Sequence, residues 1–320
     1  MPRFSSNLIG IVCVIGAVAT FSTNDMAIKW LSGDYALHQV VFFRSIIALT
    51  VTLGVLVPLE GGYRILKTQK LKMHIARGLC VVLANMTFFA SIAVMPLAEA
   101  TAIFFVAPLL ITVLSVPILG EKVGLRRLGA VIVGLIGVIV MIRPGSDSFQ
   151  WAAMLPLFAA CAYAMLQILT RKLGLAEKAS SMAFFIQATF LVVCVLFGLI
   201  AGDGRFAPGT GGSLDFLLRA WTMPSGSDVW VMLGIGCLAS VGGYLISQGY
   251  RSAEAGLVAP FEYMAMPLAI FWSISIWGDW PDTQAWIGIA LITGAGLYVF
   301  YRETTQGRRN AVKQPMPRDR

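Results

Sequence analysis

"LGAVIVGLIGVIVMIR" (Leu128–Arg143) and "IGIALITGAGLYVFYR" (Ile287–Arg302) align at an offset of 159 residues. Gly129, Gly137 and Arg143 fall on Gly288, Gly296 and Arg302, and at the same offset Pro108 falls on Pro267. "AEA" recurs more loosely, at Ala98–Ala100 and Ala253–Ala255. An apolar helix-length stretch that ends on arginine, met twice with its glycines in register, points to a duplicated unit.

The rest of the chain shows what was duplicated. Of its 320 residues, 58% are hydrophobic and only 12% charged, where a soluble domain is about half apolar and a quarter charged. A membrane-spanning helix needs roughly 20 mostly apolar residues. Ten such runs fit, at about 7–31, 36–57, 72–93, 98–118, 125–143, 149–171, 179–201, 228–250, 254–276 and 282–301. No ten-residue stretches alternate as the strands of a membrane barrel do. The expected fold class is all-α, a polytopic membrane protein of ten transmembrane helices, because helices satisfy their own backbone hydrogen bonds in hydrocarbon. The duplication places five spans in each unit: 7–143, then 149–302, with 303–320 a basic, disordered cytoplasmic tail. An odd span number makes the second copy enter from the opposite face. Inverted repeats are a mark of secondary transporters, whose substrate sites lie near the midplane between the halves.

Charge sets the expected orientation, since Lys and Arg collect in short cytoplasmic loops. Arg64, Lys67, Lys70, Lys122, Arg126, Arg171 and the tail fall on one side; the other keeps Lys29, Arg143, Arg205 and Arg219. Both termini are therefore expected in the cytoplasm, and seven of the eight tryptophans fall near the outer boundary. The net charge of +8 reports topology and calls for no nucleic acid. The outer connection, about 202–227, contains "LDFLLRAW" (Leu214–Trp221), which reads as a short amphipathic helix on the membrane surface. The five cysteines read as small packing residues.

Polar groups inside the spans are the candidate site. Asp25 and Arg44 fall at similar depth in the first two spans, with Lys29 four residues beyond Asp25. They form either a buried clamp or a contact with substrate or proton; the sequence leaves both open. Glu262 lies between Pro260 and Pro267 with Phe261 and Tyr263 beside it. It reads as a coupling or substrate-binding carboxylate, with an ion pair to Arg44 or Arg77 as the structural alternative. Pro108, Pro260 and Pro267 are expected helix kinks, and kinked helices at matching positions of two halves point to a transporter's binding site. Asn85 and Gln187 are plausible cavity hydrogen-bonders, and either could equally hold two helices together. There is no G-x-x-x-x-G-K-[ST] for ATP and no H-E-x-x-H for zinc. No cofactor, metal site or catalytic constellation is expected, and the chain does not read as an enzyme. A gradient or exchange is expected to supply the energy, with protons as one candidate coupling ion. The expected partners are a small-molecule substrate and the lipid bilayer; oligomerisation is not required.

"ATAIFFVAPLLITVLSVPILGEK" (Ala100–Lys122) and its weaker copy "AGLVAPFEYMAMPLAIFWSISIWGDW" (Ala255–Trp280) resemble the signature of the drug/metabolite transporter superfamily, in its ten-helix EamA type. The second copy departs from it: the usual Glu is Asp279, displaced by one. "NDMAIKW" (Asn24–Trp30), "FFRS" (Phe42–Ser45) and "HIARGL" (His74–Leu79) are similar to a subgroup of bacterial inner-membrane carriers that includes S-adenosylmethionine and riboflavin transporters. The resemblance implies a cavity lined by the first, third, fourth, sixth, eighth and ninth spans. On this chain that names Asp25, Arg77, Asn85, Phe105, Tyr163, Tyr244, Phe261, Glu262 and Tyr263. The expected function is secondary transport of a vitamin- or nucleoside-type aromatic heterocycle across the inner membrane. An amino-acid or drug exporter is the alternative, and an integral-membrane enzyme a more distant one.

Overall fold

A computed structural model describes residues 3–120, 124–144, 150–173, 179–209, 211–252 and 259–313. Among them there are helices and turns and no strand. Eight helices are long and apolar enough to cross a membrane: α1 (Leu8–Leu31), α2 (Leu37–Glu60), α3 (Leu71–Ile92), α4 (Leu97–Ile118), α6 (Trp151–Thr170), α7 (Ser180–Ala201), α8 (Asp228–Ile246) and α10 (Thr283–Arg302). Two shorter apolar helices, α5 (Leu128–Ile142) and α9 (Phe261–Trp277), occupy the places of the expected fifth and ninth spans. The protein is a polytopic α-helical membrane protein.

Two of the helices are discontinuous, for one physical reason. Proline has no N–H and its ring collides with the carbonyl four residues earlier. In α4 that carbonyl belongs to Phe104, and the helix stops there, restarting as Ala107–Leu119 with Pro108 in its first turn. In α9 it belongs to Tyr263. There the chain changes from a 3-10 turn (Ala259–Met264) containing Pro260 to an α-helix (Ala265–Trp272) that contains Pro267. The helix then loosens into a π turn (Ser273–Trp277) and stops at Gly278. The two prolines thus break their helices at positions that match in the repeat.

Packing is pairwise. α1 lies along α8 and α3 along α6; α2 packs on α7 and α8; α3 also meets α7; α4 touches α6 and α9; α1 touches α9; α5 pairs with α10. The α5–α10 crossing explains part of the glycine register. A Cβ at Gly137 would stand 2.9 Å from Ile292 Cγ1, and one at Gly288 would press on Met141. Small residues let helices approach closely where lipid supplies no hydrophobic drive. Gly129 faces open space and takes no part in the crossing.

The end of the bundle that bears residues 31–36, 93–96, 202–227 and 278–282 is called the upper end below. The 202–227 connection does not float on lipid as an amphipathic surface helix. Its short helix, Ser213–Leu218, docks onto α2 and α3, and Phe216 is fully buried. Apolar side chains that can reach protein are better held there, because packed contacts add to burial. Trp30, Trp151, Trp230, Trp280 and Trp286 are exposed, as expected of rings at a headgroup boundary.

Candidate functional site

Where the breaks of α4 and α9 meet, aromatic rings gather. Phe105 lies 5.2 Å from Tyr263, centroid to centroid. Phe104 lies 5.4 Å from Tyr163 of α6 and 5.3 Å from Phe88 of α3. Such offset and tilted pairs suit the ring quadrupoles. Glu262, half-buried, is within electrostatic reach of both Tyr163 and Tyr263. Tyr163 is tied to Gln167 one turn along α6. Four helices therefore present a carboxylate beside five rings at the crossing of two broken helices.

Tyr263 is held from behind by α10. Its hydroxyl is buried and finds no hydrogen-bond partner among the described residues, and any Cβ at Gly296 would overlap Oη. The glycine of the repeat serves here as a seat for the Tyr263 ring.

The remaining expected site residues are placed as follows. Phe261 does not flank Glu262 together with Tyr263; it packs toward Val14 and Val18 of α1. Two positions apart in a helical turn, the two rings leave the backbone in different directions. Tyr244 is 40% exposed, and among the described residues no ring contact joins it to the cluster. Asn85 spends its amide N–H on Val81 of its own helix, at 3.1 Å. Arg77, buried at 4% exposure, donates from Nε to Thr170 Oγ1 at 2.9 Å, bridging α3 and α6, and its Nη1 is buried without a partner.

Asp25 and Arg44 interact electrostatically but form no direct ion pair. Asp25 accepts from Asn24 Nδ2 at 3.2 Å. The Arg44 guanidinium sits between Phe190, at 5.0 Å, and Phe89, at 5.6 Å, with its Nε unpartnered. A guanidinium over aromatic faces is partly compensated without a carboxylate. Lys29 does not compete for Asp25. Its ammonium turns to the upper end, as argued below. Among the described residues, the contacts of Arg44 are with phenylalanine rings and those of Arg77 with Thr170.

Phe88, Phe104 and Gln167 were not named from sequence. The signal available was the pair of aromatic doublets, Phe88–Phe89 and Phe104–Phe105, which a reading centred on charges passes over.

Comparison with known proteins agrees with this architecture. Residues 8–143 match the EamA-like transporter family. The S-adenosylmethionine uptake transporter of Rickettsia prowazekii is 26% identical over 294 residues, covering 92% of this chain and 93% of that protein. The riboflavin transporter of Vibrio cholerae is 27% identical over 304 residues, covering 94% and 95%. A solved crystal structure superposes with a TM-score of 0.60 at 20% identity, covering 92% of this chain and 96% of that one, which speaks to the fold alone. Residues 8–143 form an EamA-like transporter domain, within a multi-pass membrane protein that is similar along most of its length to curated transporters.

Proposed function

We propose that the protein is a gradient-driven carrier of an aromatic heterocycle of the riboflavin or S-adenosylmethionine class, acting in the bacterial inner membrane with both termini in the cytoplasm. The observation that carries this reading is Glu262 beside Tyr163 and Tyr263, with Phe105 against the Tyr263 ring, at the crossing of α4 and α9. Flat rings offer stacking to a heterocycle, and a membrane carboxylate offers a contact for a proton or a substrate cation. Relatives named for S-adenosylmethionine and riboflavin support the substrate class. We further propose that the chain consists of two inverted five-helix halves. Exchanging each helix for the one five later maps α1–α8 onto α6–α3, α2–α8 onto α7–α3, and α4–α6 onto α9–α1, and returns α2–α7, α4–α9 and α5–α10 to themselves.

Uptake of radiolabelled riboflavin and of S-adenosylmethionine into proteoliposomes under an imposed proton gradient tests this. One of the two accumulates, and it raises the unfolding temperature of the purified protein. Glu262→Gln keeps the shape of the side chain, and transport is measured per folded molecule. If Glu262 carries the coupling proton, accumulation collapses while downhill exchange persists. If it binds a substrate cation, exchange fails as well. Accumulation of neither compound, with no thermal shift, overturns the substrate class; normal accumulation by Glu262→Gln removes Glu262 from the mechanism. The orientation is checked by cysteine labelling in intact cells: Ser225→Cys reacts with an impermeant reagent, and Lys70→Cys reacts only after permeabilisation.

A further inference from the structure

Above the aromatic site, the outer pieces of the two broken helices close against each other. Ala265–Trp272 of α9 packs on Leu97–Phe104 of α4. Both pieces end in turns at the upper end, and one ammonium joins those turns. Lys29 Nζ donates to the Met95 carbonyl, in the α3–α4 turn, at 2.7 Å. The same nitrogen lies 3.8 Å from Asp279 Oδ2, in the α9–α10 turn, and 4.9 Å from the Trp277 ring centroid. Glu99, at the start of α4, is within electrostatic reach of Lys29, Asp279, Arg143 and Asp282.

We propose that Lys29 is the clasp of an upper gate: its ammonium holds the α3–α4 and α9–α10 turns together over the site, and transport requires it to let go. The α4 and α9 pieces swing at their proline-made breaks, beside Phe105 and Met264. Three features fit a clasp better than a static support. Both ends of the contact lie on turns that terminate pieces already separated from their own helices. The Asp279 side chain is 36% exposed, so water can take over its end of the contact when it breaks. Lys29 itself stands on α1, beside the turn fixed to the 202–227 connection, and so has a firm base from which to release its partners. A cavity of about 270 Å³ lined by Met95, Glu99, Arg143 and Asp282 adjoins it, giving the α3–α4 turn room to move.

The inference rests on the transporter reading, but its test does not need a substrate. Ala269, 3% exposed within the Ala265–Trp272 piece of α9, becomes the reporter as Ala269→Cys in a cysteine-free background. Ala36, fully buried near the 202–227 connection, becomes the control as Ala36→Cys. Each is labelled with a charged maleimide in lipid nanodiscs, where both faces meet the reagent. Lys29→Met raises the rate at Ala269→Cys at least tenfold and leaves Ala36→Cys unchanged; Lys29→Arg, which still donates to a carbonyl and a carboxylate, stays slow. Asp279→Asn is the second route, with the same expected rise, should Lys29→Met fold poorly. An unchanged rate at Ala269→Cys, or a rise at both reporters together, overturns the clasp. Uptake is measured separately on the wild type. A rise at Ala269→Cys alone beside a failed uptake screen would leave the clasp standing and remove the substrate reading.

Discussion

The upper end of the bundle is fastened in two different ways. On one side the 202–227 connection is laced to the α1–α2 turn by neutral and charge-assisted hydrogen bonds. Gln39 and the Thr222 backbone bond reciprocally, Tyr35 donates to Asp228 at 2.7 Å, and Arg219 donates to the carbonyls of Ser32 and Gly33. Trp221 fills the space between His38, Phe42 and Gly198, and Phe216 is buried beneath. On the other side, the turns after α3 and α9 meet across Lys29, and α5 meets α10 through a two-pronged Arg143–Asp282 pair. The laced side buries aromatic rings, whose loss on opening would cost several kcal/mol. On the ionic side both carboxylates are open to water, at 36% and 52% exposure, and ion pairs that water reaches are typically worth about 0–1 kcal/mol each. A structure that must open at one place and not at another is expected to differ in this way.

The largest effect belongs to the laced side. Phe216→Ala removes a fully buried ring, and such truncations cost about 3–5 kcal/mol. Thermal unfolding of the purified protein should show the loss, with faster hydrogen exchange across the connection. A shift no larger than that of Lys29→Met would mean that the two sides are held alike.

A smaller effect is expected below the ionic side. Gly296→Ala forces a methyl group into the Tyr263 hydroxyl. Overpacking of this kind costs about 1–3 kcal/mol, and it displaces the ring from Phe105, so uptake per folded molecule falls. Gly294, two residues away, has open space around it. Gly294→Ala is therefore expected to be neutral, or stabilising by up to ~1 kcal/mol through helix propensity. Equal uptake in the two variants would remove Gly296 as the seat of Tyr263.

The smallest effect concerns pH. The Arg143 guanidinium, aided by the Ala285 N–H, holds the Asp282 carboxyl below the ordinary carboxylate range. A carboxyl with a depressed folded-state pKa contributes stability that is present above its unfolded value, about 4, and is lost as pH falls through the folded value. The Asp282 side chain is 52% exposed, so the contribution stays under about 1 kcal/mol. Asp282→Asn should flatten that part of the acid limb of a stability–pH curve and leave neutral pH nearly untouched. An unchanged acid limb would show that the pair adds nothing to the ionic side.

Much of this was legible in the sequence, because hydropathy and proline act locally. The ten apolar segments fall within a few residues of the observed helices, save at the start of α9, where 253–258 lie outside the described residues, and at the last helix, which runs on to Lys313 through residues expected to be a disordered tail. Pro108 and Pro267 marked the true breaks, since each acts on a carbonyl four residues away. The site was legible only in part. Glu262 and Tyr263 stand together as read, but Phe261 turns to α1, and Tyr244 stays apart. Asp25 and Arg44 are neighbours without being a pair. Side-chain direction depends on the local turn and on which helix lies opposite, and neither is written in the residue itself. The laced connection was misread for the same reason: Phe216 and Trp221 look like lipid anchors until α2, α3 and α7 are seen to receive them.

The central claim is that transport moves the ionic side while the laced side stays closed, and cross-linking tests it most directly. Paired cysteines at Gln39 and Thr222 staple the laced side; paired cysteines at Met95 and Asp279 staple the other. Each pair is bridged by a short, reducible bifunctional thiol reagent, and uptake of riboflavin and S-adenosylmethionine is measured before bridging, after it, and after reduction. The account predicts that the first bridge leaves uptake within about twofold, while the second abolishes it until reduction restores it. Loss of uptake through the Gln39–Thr222 bridge, with full activity under the Met95–Asp279 bridge, would contradict it.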